Sequence, residues 1–372
     1  MLKTDVAAYV WPAYTGDEKR SRMFWKEGMG EWQSVKNSVP KISPYGIYPE
    51  PAKPLWGFVN EADPYVMQMQ IDAATDHGIN VFIYDWYWYD TRPFLEHCLD
   101  NGFLKAQNNH KMKFYLMWAN HDANHLWNKE LSDTCGDVVI WKGAQDRKQF
   151  EIIVKRVIEK YFSHPCYYKI NGCPVFMIYE LVNLTEGLGG IEETKRALDY
   201  FRNEVVKAGF PGLHLQVAAW NSNGNNLSGV DKGIGLSRDE FNALCFDSMT
   251  HYQFVHFTSM NRDYLEVLED VKAQYKLINE NYNIPYYPHV SVGWDNNPRF
   301  RSFIDHVCKN NTPENFENGL RLASDYLDQH PELHRLVTLN SWNEWTETSY
   351  LQPDTKYGYG YLEAVKRVFK GK

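Results

Sequence analysis

Residues 63–90 read DPYVMQMQIDAATDHGINVFIYDWYWYD, and they hold one repeat of the architecture. Asp63 followed by Pro64 is an N-cap with proline in the first turn. Gly78 follows the last residue of the helical period, which predicts a helix over Asp63–His77. β-rich sequence then runs over Ile79–Tyr87, and the segment closes on Asp85, Trp86, Tyr87, Trp88, Tyr89 and Asp90. Carboxylates and aromatic rings thus crowd the point where this strand ends.

The same alternation extends in both directions. Further strands are predicted over Val6–Trp11, Lys113–Asn120, Pro174–Glu180, His214–Asn221, Ala243–Tyr252, Tyr286–Trp294 and Leu336–Trp342. Helical periods fill Arg92–Asn108, Lys148–Phe162, Glu192–Ala208, Asn261–Tyr282, Pro313–Gln329 and Tyr359–Lys370, with a missing or very short helix between the fifth and sixth strands. Strands alternating with helices pair in parallel. Eight of them in 372 residues, without linker, repeat or low-complexity segment, predict an α/β fold: a single-domain (β/α)₈ TIM barrel over residues 1–372 with elaborated βα loops. An open doubly wound sheet is the alternative, and no GxGxxG follows the first strand to support it.

A barrel places its reactive groups at the C-terminal ends of its strands. Those ends are polar and aromatic here: Trp118, Asn120, His121 and Asp122; Tyr179 and Glu180; Trp220 and Asn221; Asp247, His251 and Tyr252; Trp294, Asp295 and Asn296. The strand starts, such as Lys113, Pro174 and Leu336, are plain. The stretch LVTLNSWNEWTETSYLQPD over residues 336–354 opens with the eighth strand and carries Glu344 and Glu347 just past its end. Paired carboxylates beside aromatic rings are the equipment for breaking a glycosidic bond. A solvated surface pair is the plainer reading, and the apolar run Leu336, Val337, Leu339 and Trp342 opposes it. Alternation puts Leu336, Thr338, Asn340, Trp342 and Glu344 on one face, with Glu344 at the barrel mouth and Glu347 on the loop beyond.

Composition narrows the function further. The net charge, 39 − 47 = −8, and the lack of a Lys/Arg run interleaved with aromatics argue against a nucleic-acid partner. Aromatic residues reach 15%, with 13 Trp and 25 Tyr, whose flat apolar faces and polar edges match sugars. A Tyr-rich core is the plainer account of that number. Six scattered cysteines give neither a zinc spacing nor a disulfide framework, and His121 with His125 lacks a third ligand, so neither metal nor cofactor is expected. No 18-residue apolar run predicts a membrane span. Residues 1–5 are too short and polar for an export signal, while strand sequence begins at Val6. The compartment is therefore open: periplasmic or extracellular if a leader was removed, cytoplasmic otherwise.

NEWTE at Asn343–Glu347, with Pro353-Asp354 and Tyr357-Gly358-Tyr359 after it, resembles the glycoside hydrolase family 99-like proteins. These include WbsX-like proteins encoded with bacterial polysaccharide genes and, more distantly, endo-α-mannanases and endo-α-mannosidases. AYVWPAY at the first strand, GMGEWQSV at residues 28–35, the 63–90 segment and MWAN ending at Asn120 agree, so the likeness spans Val6 to about Phe369. The resemblance implies a retaining hydrolase of α-linked, manno-configured glycans that passes through a 1,2-anhydro sugar. Glu344 would be the base toward the 2-hydroxyl and Glu347 the general acid/base. The expected partner is an oligosaccharide or polysaccharide, and nothing in the sequence reports the oligomeric state.

Candidate sugar contacts are Tyr9, Trp11, Glu31, Trp32, Asp85, Trp86, Trp118, Asn120, His121, Glu180, Trp220, Tyr252, Trp294, Trp342, Asn343 and Trp345. Some of the tryptophans are expected in the core instead, and Asp85 could equally bond strand-end amides. Glu180 is also the acid of a competing double displacement with Asp295 or Glu344. The sequence departs from the family pattern at Thr348 (often Gly), at Gln352 (often Glu) and at His121-Asp122 (often Glu). These positions lie at the presumed sugar-contacting rim. Two rivals remain: a glycosyltransferase, for which no DxD and no basic or Gly-rich phosphate cradle is visible, and a non-catalytic glycan-binding barrel. Endo or exo action rests on loops such as Asn221–Glu240 and Asp122–Arg147.

Overall fold

The computed structural model describes residues 4–222, 226–228 and 235–370. Eight parallel strands form the centre: β1 Asp5–Val10, β2 Val81–Tyr89, β3 Lys113–Trp118, β4 Cys173–Ile178, β5 His214–Ala219, β6 Ser248–His251, β7 His289–Ser291 and β8 Leu336–Asn340. Their order is β6-β5-β4-β3-β2-β1-β8-β7. A parallel bridge between Met249 and Tyr286 closes the ring, with the Met249 N–H donating to Pro285 O at 2.9 Å and the Tyr287 N–H to Met249 O at 2.8 Å. The chain is a (β/α)₈ barrel, as the alternation predicts.

Helices α1 Pro64–Asp76, α2 Arg147–Val157, α3 Leu181–Leu188, α4 Ile191–Lys207, α5 Arg238–Ala243, α6 Tyr264–Asn281, α7 Pro313–Gln329 and α8 Gly360–Phe369 surround the strands. The side chains of Asp63 and Thr312 cap α1 and α7 as their sequences predict. Between the fifth and sixth strands, where a helix is expected to be missing or very short, stands the six-residue α5. Strands buried on both faces carry unbroken apolar runs, such as Val81–Tyr84 and Val175–Ile178, which lie against the helices. Phe176 of β4 meets Phe201 of α4 at 5.3 Å and Phe162 at 6.4 Å in one such layer.

The barrel interior is polar and internally bonded. Tyr115 donates to Gln216 at 2.9 Å, Thr250 and Thr338 share a hydrogen bond of 2.7 Å, and His289 reaches Thr338 at 2.9 Å. Such groups are tolerated because each finds a partner there.

Two expectations fail locally. Arg92–Asn108 is not one helix: Asp90 and Thr91 take positive φ and turn the chain back, so that Arg92–Phe94 pairs antiparallel with the end of β2. Helical turns resume only at Cys98–Phe103. Alternation also stops where β8 stops, at Asn340. Trp342 consequently faces α1, where its indole N–H donates to Gln70 at 2.9 Å, instead of looking into the barrel. Phe176→Ala should cost about 3–5 kcal/mol. A lowered urea midpoint with an unchanged m-value would register it, and a change under about 1 kcal/mol would contradict the packing described.

Candidate active site

The C-terminal mouth of the barrel is organised around Arg299. This residue ends the short turn Asn297–Arg299 after β7, and Asp295 fixes that turn by accepting from the Asn297 backbone N–H at 3.0 Å and side-chain amide at 2.7 Å. The Asp295 N–H donates to the Glu347 carbonyl at 2.7 Å, and the Thr348 hydroxyl donates to the Asp295 carbonyl at 3.0 Å, lacing the β7 loop to the β8 loop. Glu31 arrives from the β1 loop. Gly30 there has φ of 62°, and a Cβ on it would stand 1.8 Å from the Ala13 carbonyl, so only glycine lets the chain pass.

Three carboxylates converge on the guanidinium of Arg299. Its Nη2 meets Glu344 Oε1 at 2.6 Å, its Nη1 meets Glu347 Oε1 at 2.6 Å, and its Nε meets Glu31 Oε1 at 3.3 Å. The other Glu31 oxygen accepts from the Trp11 indole. All four charged residues are buried. Fully ionised, the cluster would carry two uncompensated negative charges in a site of low dielectric, so it holds protons. Burial and then the charge of Glu347 push Glu344 well above the usual carboxylate range, and burial raises Glu347 against the pull of Arg299. Glu344 Oε2 is buried and has no hydrogen-bond partner among the described residues. Asp85 lies nearby, raised chiefly by burial, and accepts from Tyr252 at 2.9 Å.

A cavity of about 310 Å³ opens over these glutamates. Of the candidate residues, Trp11, His121, Trp220, Tyr252, Trp294, Glu344 and Glu347 line it, joined by Tyr87, Trp127, Tyr179 and Arg299. Trp220 stacks on His256 with ring centres 3.9 Å apart, so one face of its indole is covered. Burial pushes His256 down to about 3, which leaves that imidazole neutral. Of the Asn221–Glu240 loop, residues 223–225 and 229–234 lie outside the described residues.

The remaining candidates stand elsewhere. Trp86 donates to Glu96 at 2.8 Å and Trp118 packs on Phe150 of α2, both on the helix side of the sheet. Tyr9 lies inside the barrel, donating to the His251 carbonyl at 2.9 Å. Trp32 donates to the Val59 carbonyl and packs on Tyr14, and Trp345 stacks on Tyr350 at 3.7 Å. Glu180, the acid of the competing mechanism, instead caps α3, accepting from the Val182 and Asn183 backbones at 3.0 and 2.5 Å. Asn120 clamps the Glu180 backbone through both its N–H and its carbonyl. Asn343 does the same for Trp11.

Beneath the pair lies a hub that the sequence does not announce. Glu61, fully buried, accepts from Gln70 at 3.0 Å, Gln352 at 2.7 Å and Asn343 at 2.7 Å. The oxygens of these amides accept from Trp342, Trp345 and the Trp11 backbone, so all three NH₂ groups must point at Glu61. Burial pushes Glu61 up to about 7 against that pull. Gln352, expected at the rim of the mouth, thus serves the frame of the NEWTE turn instead.

A family model described as Glycosyltransferase WbsX matches residues 6–365. The chain belongs to the WbsX family. Two curated relatives, the uncharacterized protein WxcX from two strains of Xanthomonas campestris pv. campestris, are each 26% identical over 346 residues, or 92% of this chain and 46% of theirs. The chain spans about half the length of these relatives. Among solved structures, the GH99 endo-alpha-mannosidase from Bacteroides thetaiotaomicron is similar with a TM-score of 0.63 and 13% identity, covering 100% of this chain and 98% of that one. A glycoside hydrolase-like protein gives a TM-score of 0.61 at 14% identity, covering 99% and 94%. At such identities the likeness establishes the fold. It places this WbsX family member on the barrel that the NEWTE resemblance implies.

Replacing Arg299 tests the electrostatics. Because Glu344 and Glu347 hold protons in the fold that the unfolded chain releases, their contribution to stability is present at low pH and is lost as pH rises above about 4.3 through the raised values. Arg299→Gln should raise them further and steepen that loss. The expected destabilisation is about 3–5 kcal/mol at pH 8 and clearly less at pH 5, read by denaturant titration. A penalty independent of pH would sink the shared-proton description.

Proposed function

We propose that the protein is a retaining glycoside hydrolase acting on α-linked, manno-configured glycans through Glu344 and Glu347. The observation that carries this reading is the pair itself: two buried glutamates bound by one arginine, facing a cavity walled by aromatic rings. The tryptophans supply apolar faces for sugar C–H surfaces, and the pair supplies one ionised and one protonated carboxyl.

In the first step the ionised glutamate takes the proton of the sugar 2-hydroxyl, and the 2-oxygen closes onto C1. The bond from C1 to the leaving oxygen breaks, and that oxygen receives the proton of the other glutamate. Water then opens the 1,2-anhydro ring at C1, giving its proton to the second glutamate, while the 2-oxygen recovers its own from the first. Two inversions leave the anomer retained. The closure needs the 2-oxygen trans to the leaving group, which an α-mannoside provides. The family resemblance casts Glu344 as the base and Glu347 as the acid. In the free protein burial, and then the charges of Glu347, Glu31 and Asp85 against the pull of Arg299, favour a proton on Glu344. The assigned roles therefore require the 2-hydroxyl to engage the unpartnered Oε2 of Glu344 and shift the shared proton to Glu347.

A leaving-group comparison checks this assignment. Glu347→Gln should lose about 10²–10⁴-fold in kcat/KM on an α-mannan and recover most of it on an activated aryl α-mannoside, whose departure needs no acid, while kcat stays low because the water that opens the ring has lost its base. Glu344→Gln should stay inactive on both. The reverse pattern would exchange the roles, and full activity in both variants would refute the pair.

The description of the family model favours a second reading, a glycosyltransferase. Thermal stabilisation by a nucleotide sugar, and none by manno-oligosaccharide, would select it.

A further inference from the structure

A second cavity has a volume of about 290 Å³. The same two chain segments wall both: Trp127 and Arg299 face the glutamate pair, whereas Asn128, Lys129 and Arg301 face the second space. Its walls carry Lys26, Lys41, Lys129 and Arg301 against one carboxylate, Glu130, which is bound to Lys26 at 3.0 Å. In a chain of net charge −8 this concentration of cations is a local inversion. The four residues form no run in the sequence and meet only in the folded chain.

Lys41 is the deciding group. It is 6% exposed and lines the cavity, and among the described residues its ammonium has no hydrogen-bond or ion-pair partner. Burial pushes it down, and Asp295 and Asp133 offset this only in part. Lys129 donates to the Asn37 carbonyl at 2.9 Å, and burial, then Lys41 and Arg301, push it down to about 8. Lys26 and Arg301 are exposed and Lys129 is half-buried, so the four cations line an open cavity where they repel one another, and a bound anion would relieve that repulsion. The volume lies at the small end of ligand pockets, roughly 300–1,000 Å³, and suits one charged sugar better than a nucleotide.

We propose that this cavity is an oxyanion subsite that takes the carboxylate, sulfate or phosphate of a charged sugar in the glycan cleaved at Glu344 and Glu347. It narrows the substrate class to acidic glycans and rests on the hydrolase reading.

Two measurements test it, both independent of turnover. Inorganic phosphate or sulfate, compared with chloride at matched ionic strength, should raise the wild-type Tm and leave Lys41→Met and Arg301→Gln unmoved. Lys41→Met without anion should be at least as stable as wild type, because it removes an unpaired charge set beside other cations; a large loss of stability would make Lys41 a structural residue and overturn the proposal. In a Glu344→Gln background, calorimetry should show a uronate-bearing manno-oligosaccharide binding about tenfold more tightly than its carboxyl-reduced counterpart, a ratio that Lys41→Met abolishes. Equal affinities, or a response to free phosphate without discrimination between the two sugars, would overturn the glycan subsite. Tighter binding of a nucleotide sugar than of either oligosaccharide would overturn it in favour of a diphosphate site. Discrimination without any cleavage by wild type would remove the hydrolase reading and leave the subsite standing. Cleavage of acidic and neutral glycans with equal KM would do the opposite.

Discussion

One guanidinium holding three buried carboxylates is the constraint from which the mouth of this barrel is built. Arg299 cannot neutralise Glu31, Glu344 and Glu347 together, so the cluster is obliged to keep protons at pH values where exposed glutamates have lost them. A protonated carboxyl next to an ionised one is what acid–base chemistry at a glycosidic bond requires. The same arginine fixes positions as well as charges, because it joins loops from β1, β7 and β8 that are distant in sequence.

Such a cluster is costly, and the surrounding frame shows how the cost is met. Asp295 shapes the arginine turn, and Ser132 donates to the Arg299 carbonyl at 2.6 Å from a neighbouring loop. On the other side Glu61 gathers Gln70, Asn343 and Gln352, whose amide orientations are dictated in turn by Trp342, Trp345 and the Trp11 backbone. The NEWTE turn is thus held from below by α1 and from the side by β1. Few of its tryptophans are left to meet a sugar, since Trp342 and Trp345 are committed to this frame. The aromatic wall of the cavity comes from Trp11, Trp127, Trp220 and Trp294, on four other loops.

What the sequence made legible follows from how local each signal is. The eight strands were readable because apolar runs and caps are properties of short windows, and the strand ends drew attention to Glu344 and Glu347 because a carboxylate after a buried strand stands out locally. Arg299 sits in NNPRFR, an unremarkable loop whose meaning appears only when β7 lies beside β8. Glu61 precedes a helix cap and looks like any acidic residue at a helix start. Trp86 and Trp118 misled because a strand end has two faces, and composition does not say which one a ring occupies. Trp342 lies beyond the end of β8 at Asn340, where alternation no longer assigns a face. Lys26, Lys41, Lys129 and Arg301 form no run and gave no signal. Glu180 was a reasonable acid by position, yet its oxygens are spent on the amides that open α3.

The proposed reaction requires a sugar bound across Glu344 and Glu347. Its most direct test is a crystal structure of the Glu347→Gln protein with an α-manno-oligosaccharide. The account predicts a ring whose 2-hydroxyl lies within about 3 Å of Glu344 Oε2 and whose glycosidic oxygen faces residue 347, with Trp220 or Trp294 against the sugar. An oligosaccharide bound away from the pair, or one whose 2-hydroxyl points from Glu344, would contradict it.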